Sequence, residues 1–360
     1  MTNYCRLCGN GLAKAYSFAP TPLANSFPPE PDADAERFPL DLMKCISCNH
    51  VQLGYVPDRN TLYRNYKYST PRIQLPDMRR YALQLKEKYP GAKKCFEIGA
   101  NNGLLIQVLK DTGFFAIGID PSPQDWMVWE GFFDTGSAWR AKKRFGTFDL
   151  IIANNVLAHI DNLEEVIAAV DLLLSRDGAL IFEVQYLIDL LDRAEFDMVY
   201  HEHHDYHHIA PLLPFFRTRG FVVTDVEKLP NHGGSIRVTV KRHGDEFIAP
   251  KETLDFDAFS SKIESTRDRL MTELKGNVAA FGATAKSCTL IHHFGLQDII
   301  RYVVDETPAK LDKYIAGTNI RICPPAQFGI DPPDTLLLTA WNYADMLRKR
   351  FAGMNIVVPF

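Results

Sequence analysis

The densest concentration of reactive side chains is the run Tyr200-His201-Glu202-His203-His204-Asp205-Tyr206-His207-His208, which holds five of the chain's eleven histidines together with two tyrosines and two acids. Imidazole is the side chain whose ordinary pKa lies nearest the working pH, so such a run can supply a general base. A second group stands upstream. Glu97-Ile98-Gly99-Ala100-Asn101-Asn102-Gly103 follows a short apolar stretch and opens a helix-like one. The two together suggest a base beside a nucleotide-type cofactor. A third set is Cys5-x-x-Cys8 and Cys45-x-x-Cys48. Four thiolates from two tight knuckles make the closed tetrahedral shell of structural zinc, with no position left open for catalysis. Their separation exceeds the usual zinc-ribbon spacing, so the chain between them must make an excursion.

The elements that must position these groups can be read from pattern. Pro20 to Pro31 is proline-rich and expected to be extended, and a tyrosine-rich patch with Tyr63, Tyr66 and Tyr68 follows it. Helical spacing of Leu75, Met78, Tyr81, Ala82 and Leu85 predicts a helix from about Gln74 to Lys88. Apolar strands then alternate with helices: strands at Cys95–Ile98, Phe115–Asp120, Phe148–Ala153 and Ala179–Val184, and helices at Leu104–Thr112 and Leu163–Ser175. Buried strands separated by amphipathic helices imply a parallel sheet covered on both faces, with ligands held at the carboxyl ends of its strands. After a helix over about Leu254–Lys275, the same strand, small-residue loop and helix logic recurs at Val278–Ser287, and Tyr302–Val304 ends in Asp305. Cys95, Cys288 and Cys323 lie in apolar surroundings and read as core thiols.

The loop after the first of these strands distinguishes between cofactors. Gly99 lets the backbone turn, Gly103 lets the next helix come close, and Glu97 can accept hydrogen bonds from a cationic or hydroxyl-bearing ligand. Asp120, closing the second strand, can hold two vicinal ribose hydroxyls. The glycines are spaced G-x-x-x-G rather than G-x-G-x-x-G, and a carboxylate precedes them where a pyrophosphate would be repelled. S-adenosylmethionine, a sulfonium, fits better than a dinucleotide. Asn154, at the end of the Phe148–Ala153 strand, is the position expected to face the cofactor's amino-acid portion, and His159 follows it.

Several motifs in one order resemble the sugar-nucleotide C-methyltransferases of deoxysugar pathways. They are the four cysteines with Thr21-Pro22-Leu23-Ala24-Asn25-Ser26, Glu97-Ile98-Gly99, Asn154-Asn155-Val156-Leu157-Ala158-His159, Tyr200-His201-Glu202-His203, His232-Gly233-Gly234-Ser235-Ile236-Arg237 and Trp341-Asn342-Tyr343. The resemblance implies an α/β protein. A class I methyltransferase Rossmann-like sheet would be flanked by a small N-terminal zinc-binding domain and a second, C-terminal Rossmann-like domain. The boundaries would be 1–70, 71–242 and 243–360. It implies methylation at a carbon next to a ketone of an NDP-keto-deoxysugar, dTDP-linked, with S-adenosylmethionine as cofactor and structural Zn2+. His203 would be the base that removes the α-proton, with Glu202, Tyr200 and Tyr68 (Tyr66 is the other candidate) around it. Glu97, Gly99, Asn101, Gly103, Asp120 and Asn154 would hold the cofactor. Lys286, His232, Ser235, Arg237 and Asp305 would hold the nucleotide-sugar, with Lys286 and Asp305 fitting equally a Rossmann-like domain used only for packing.

The chain also departs from that pattern. Only Pro121 to Gly131 separate Asp120 from Phe132-Phe133, where the family carries a longer stretch that walls the adenine, so either Trp126 and Trp129 supply stacking in its place or the cofactor pocket is impaired. His201, His204, His207 and His208 are expected to include solvent-facing and helix-capping residues.

Composition bounds the alternatives. With 360 residues, 46% apolar and 23% charged, the chain can bury two or three cores. A net charge of -4 without a basic run argues against nucleic acid and anionic membranes as partners. With no leader pattern and no apolar stretch of about 18 residues, a cytoplasmic location is expected. Two other classes fit less well: an epimerase or tautomerase of the same sugars that keeps the base but not the methyl transfer, and a zinc-ribbon nucleic-acid-binding or RNA-modifying protein.

Overall fold

The computed structural model describes residues 3–63, 69–70 and 72–360. In chain order its strands are β1 (Leu12–Thr21), β2 (Phe38–Cys45), β3 (Val51–Leu53), β4 (Lys94–Ile98), β5 (Phe115–Asp120), β6 (Val128–Glu130), β7 (Phe148–Asn154) and β8 (Leu174–Gln185). They continue as β9 (Asp205–Tyr206), β10 (Val222–Leu229), β11 (Ser235–Lys241), β12 (Val278–Phe281), β13 (Ile300–Val304), β14 (Arg321–Cys323), β15 (Thr335–Leu338) and β16 (Ile356–Val357). These form three sheets.

The central sheet has the order β10-β11-β8-β7-β4-β5-β6. Its strands are parallel except β11, which runs against both neighbours. Order reverses at β4, so the carboxyl ends of β4, β5 and β7 open onto the crevice where such sheets bind ligands. Alternation along the strands divides the core. Cys95, Leu150, Ile152, Ala179 and Ile181 meet helices Leu75–Lys88 and Leu104–Asp111 on one face. Phe96, Ile151, Leu180 and Phe182 meet Leu163–Leu173 and Ile209–Arg217 on the other.

The third sheet, β14-β13-β12-β15-β16, is fully parallel and is reached through the long helix Phe256–Glu273. The N-terminal sheet is antiparallel, with β1, β2 and β3 in a meander. Its apolar side does not stand alone. Phe18, Leu40, Leu42, Val51 and Leu53 share one core with Phe259, Leu290 and Phe294 of the C-terminal part. Pairing across a sheet-to-sheet seam of this kind is invisible to periodicity, which reports only which face of an element is buried.

Two expectations change here. The short stretch after Asp120 is not a bare loop but adds β6 to the edge of the central sheet, paired Gly118↔Val128 to Asp120↔Glu130. A helix over Thr135–Phe145 follows, capped by Asp134, whose carboxylate accepts from Ser137 while Ser137 Oγ accepts from the Asp134 amide. The histidine run is also not a surface segment: His201, His204, His207 and His208 are all buried. The reason is that Asp205–Tyr206 is strand β9, the fourth strand of the N-terminal sheet. His208 does take the N-cap position of helix Ile209–Arg217, but its side chain does not cap it.

Glu252, from the segment between β11 and the long helix, caps that helix instead. Its carboxylate accepts from the Ile209 and Ala210 amides at 2.9 and 2.8 Å, from Tyr186 Oη at 2.8 Å and faces His208 Nδ1 at 2.9 Å. Burial alone would raise this carboxyl, but the His208 and backbone hydrogen bonds prevail and hold it at about 2. A depressed folded-state pKa stabilises above the unfolded value and loses that contribution as pH falls through the folded one. Glu252→Gln is therefore expected to cost roughly 2 kcal/mol at neutral pH. In calorimetry across pH, its Tm deficit should shrink between about pH 5 and about pH 2.

Candidate active site

Around the end of β4 the backbone is shaped for close approach. Gly99 has φ +71°, and a Cβ there would lie 2.7 Å from Val156 Cγ2. Asn101 also takes a positive φ, 46°, and Gly103 precedes helix Leu104–Asp111 with φ 70°. Asp120 accepts from the Asn101 amide at 2.9 Å and from Ser122 at 2.8 Å, which ties the end of β5 to the β4 loop while each oxygen keeps a second lone pair. The loop is held from outside as well. Thr70 donates its amide to Asn101 Oδ1 at 2.9 Å, and Asn102 Nδ2 donates to the Thr70 carbonyl at 2.8 Å.

At these strand ends Glu97 Oε2 is buried without a hydrogen-bond partner, and Asn154 Oδ1, also buried, lies beside Tyr81. Burial, with the charge of Asp120 added, pushes the Glu97 carboxyl up to about 8. A buried acid of that kind calls for a cationic or donor group. The residues fit S-adenosylmethionine, whose amino and sulfonium groups are positive and whose ribose carries donors. Trp129 is packed on Phe145 with ring centroids 5.8 Å apart, and Trp126 is 89% exposed.

The loop after β7 joins this edge to the histidine run. Val156 packs on Gly99, and His159 stands edge-on to His203 with centroids 4.8 Å apart. Burial, then His204, holds His159 down at about 3, so it is neutral. Met198's carbonyl lies 2.9 Å from His203 Nδ1 and can only accept, so Nδ1 carries the hydrogen and Nε2 presents a lone pair. Tyr200 Oη lies 2.8 Å from that Nε2 and donates to it. Glu202 is buried, its carboxyl raised by burial, and accepts from Asn25 Nδ2 at 2.8 Å. His203, Tyr200 and Glu202 are thus together, close to the β4 and β7 ends. Tyr68 and Tyr66 lie outside the described residues.

The residues expected around a nucleotide-sugar are more dispersed. Arg237 is committed to Glu183 at 2.6 Å and Glu227 at 2.9 Å and lies over the Tyr81 ring. Ser235 Oγ donates to the Asn231 carbonyl at 3.0 Å. His232 belongs to the short turn Asn231–Gly233, and its side chain lies outside the described residues. Lys286 donates to Asn342 and sits 3.8 Å over Trp341; burial lowers it to about 8 against the opposing charges of Asp197 and Glu195. A diphosphate brought to Lys286 would also meet those two carboxylates. Asp305 repeats the arrangement of Asp120: it accepts from Ala283 in the β12 loop and from Thr307 two residues on, each at 2.8 Å.

The four cysteine sulfurs lie within 4.8 Å of one another, with Cys5–Cys48 at 3.6 Å and Cys8–Cys45 at 3.4 Å. A tetrahedron with Zn–S near 2.3 Å has edges of about 3.8 Å, so the set fits zinc. Each knuckle turns through a positive φ, Gly9 and Asn49, and the Ser47 and Cys48 amides point at Cys45 Sγ.

Asn25, Arg6, His50 and Asp205 were not legible as site residues. Asn25 reaches Glu202, and Asp205 meets Arg6 and His50, across 177, 199 and 155 positions of sequence, and no local pattern reports such pairings. Asn25 within the Thr21–Ser26 motif, Asp205 within the histidine run and the two knuckles were the hints.

Three family models match the chain: a zinc binding domain over 5–63, a methyltransferase domain over 72–226 and a C-methyltransferase C-terminal domain over 230–357. The chain is similar to the C-methyltransferase NovU of Streptomyces niveus, with 30% identity over 397 aligned positions covering 99% of this chain and 94% of that one. Among solved structures, a protein of Pyrococcus horikoshii OT3 overlaps with a TM-score of 0.36 at 16% identity, 52% of this chain and 99% of that one. A SAM-dependent methyltransferase of Anabaena variabilis overlaps with a TM-score of 0.35 at 14% identity, 46% of this chain and 84% of that one. Overlaps at these scores carry no argument, and the fold rests on the strand order and the family models.

Cofactor affinity should follow the Glu97 carboxyl. A cationic ligand favours the ionised form, so below about pH 8 binding must expel a proton and weakens as pH falls. By calorimetry the affinity for S-adenosylmethionine is expected to rise between about pH 6 and about pH 8, up to about tenfold per unit, and Glu97→Gln should flatten the profile.

Proposed function

The chain belongs to the C-methyltransferase family that includes NovU, and on that premise we propose that it methylates the carbon beside the ketone of a nucleotide-linked keto-deoxysugar, with His203 as the base. The observation that carries this reading is the contact of His203 Nδ1 with the Met198 carbonyl. The Nδ1 hydrogen is fixed on that carbonyl, which leaves Nε2 as the acceptor.

A C–H bond becomes nucleophilic only when the proton α to a carbonyl is removed and the developing oxyanion is stabilised. His203 Nε2 takes that proton, and the imidazolium keeps its Nδ1 hydrogen bond to Met198. Tyr200, which donates to Nε2 in the unliganded protein, is placed to turn its hydroxyl to the carbonyl oxygen. His159, held neutral, adds no charge against the imidazolium that forms 4.8 Å away. Glu202, held by Asn25, is next to His203 in sequence. When bound, S-adenosylmethionine supplies an electrophilic methyl group. Glu97, Gly99, Asn101, Gly103, Asp120 and Asn154 would hold it.

The sugar-nucleotide as substrate rests on the resemblance of the Thr21-Pro22-Leu23-Ala24-Asn25-Ser26, Tyr200-His201-Glu202-His203 and Trp341-Asn342-Tyr343 motifs. The Asp305 loop supports it, since a second carboxylate at a strand end is a place for ribose hydroxyls. A division at 1–70, 71–242 and 243–360 accords with the three sheets, with β9 crossing over to complete the first.

His203→Ala is expected to lower turnover on the order of 1000-fold while leaving the Kd for S-adenosylmethionine within about twofold. Tyr200→Phe should lose less, about tenfold, and in kcat rather than KM. A His203→Ala protein turning over at an ordinary rate would overturn the assignment.

A further inference from the structure

The strand that carries the histidines is built into the cysteine-bearing sheet rather than merely placed beside it. β9 pairs with β3 in the register Val51↔Tyr206 and Gln52↔Asp205. The His204 carbonyl accepts both from the Leu53 amide at 2.9 Å and from Arg6 Nη1 at 3.1 Å. On its other side the His204 amide donates to the Ala158 carbonyl at 2.7 Å, next to His159. His204 is one peptide bond from His203.

Both cysteine knuckles converge on the same carboxylate. Arg6 lies inside the first, between Cys5 and Cys8, with its side chain 5% exposed and Nη1 3.5 Å from Asp205. His50 lies two residues past Cys48, with Nε2 2.8 Å from Asp205 Oδ1, and neither of these side chains is exposed at all. Arg6 is fixed in turn, its amide donating to Gln52 Oε1 at 2.8 Å and its Nε to Asp161 at 2.9 Å. A buried carboxylate is stable only while its partners stay in place. Here one partner comes from each knuckle, and the thiolate cluster ties the two knuckles together beside the Leu12↔Cys45 end of the β1–β2 ladder and the Gln52 bonds to Arg6 and Tyr4.

We propose that Arg6 and Asp205 are positioning residues that couple occupancy of the four-cysteine site to the placement of His203. This rests on His203 acting as the base. The metal's contribution is then more than holding an isolated module folded: it sets the register of the strand on which the base stands. A displacement of about 1 Å at such a group can cost on the order of 100-fold in rate. Loss of the metal should therefore abolish proton abstraction before it unfolds the central sheet.

The test has two arms. In the first, amide hydrogen exchange is followed by mass spectrometry on the zinc-loaded protein and after stripping the metal with a chelator. Peptides covering 202–206 and 51–53 should lose protection together, while a peptide covering β4 keeps its own. In the second, Arg6→Met, Arg6→Lys and a control, Lys14→Ala at an exposed ion pair with Asp41, are compared in zinc content, S-adenosylmethionine Kd and exchange of the ketone's α-proton with solvent. Arg6→Met should keep its zinc and its cofactor Kd within about twofold, yet exchange the proton at least about tenfold more slowly. Arg6→Lys should recover part of the rate, and Lys14→Ala all of it. Protection of 202–206 that survives metal removal, or an Arg6→Met protein with the wild-type exchange rate, would overturn the proposal. A wild-type protein that exchanges no α-proton would instead sink the base assignment, and the amide-exchange arm would then decide the coupling alone.

Discussion

The buried carboxylate of Asp205 is the constraint on which the rest of the site depends. It stands on a two-residue strand, its side chain is wholly inaccessible, and its charge is balanced by side chains from the two cysteine knuckles, about 155 and 199 positions away in sequence. Burial alone would raise such a carboxyl, yet Arg6, then His50 and His207, hold it at about 2. A charge in that position is tolerable only if the N-terminal sheet is docked, so docking and the order of the histidine strand are one event rather than two. The proline-rich stretch follows from it. Residues 22–37 must run from β1 to β2 past the C-terminal part, and on the way Asn25 reaches Glu202 and Arg37 reaches His292 and the Gly317 carbonyl.

The central sheet handles charge in a different manner. Glu97 and Asp120 stand at neighbouring strand ends, and the unliganded protein keeps Glu97 protonated at neutral pH because burial and a like charge both oppose its ionisation. That is an arrangement waiting for a cation, and a sulfonium cofactor with an amino group supplies one. The third sheet repeats the loop geometry with Asp305 and Ala283, but Ala280-Phe281-Gly282 stands where the central sheet has Glu97-Ile98-Gly99, so no carboxylate precedes its glycine. The same backbone device thus appears twice in one chain with different chemistry at its edge.

How much could be read beforehand divides along physical lines. Strands β4, β5 and β7 and helices Leu75–Lys88 and Leu104–Asp111 follow from apolar runs and helical spacing, because burial on one face is a local signal. The cysteine quartet and the Gly99 turn were legible for a similar reason: residue type and short spacing decide them. What escaped was everything set by pairing between distant segments. β6 is three residues long and lies at a sheet edge, where alternation has no length to show itself. β9 is shorter still, and the histidines around it looked polar and exposed when they are buried. Arg237 and Lys286 have the chemistry of ligand-binding residues, but carboxylates that no spacing predicts, Glu183 and Glu227 for one and Asp197 and Glu195 for the other, already face them.

On the proposed function, the protein makes a carbon nucleophile by removing the proton next to a ketone. This is tested most directly by incubating the wild-type protein in deuterated water with NDP-3-keto and NDP-4-keto-6-deoxysugars, without and then with S-adenosylmethionine, and weighing the products. Deuterium uptake at one carbon without the cofactor, and a methyl mass gain at that carbon with it, is the result the account predicts. A methyl group gained on oxygen or nitrogen, with no deuterium entering carbon in either condition, would contradict it.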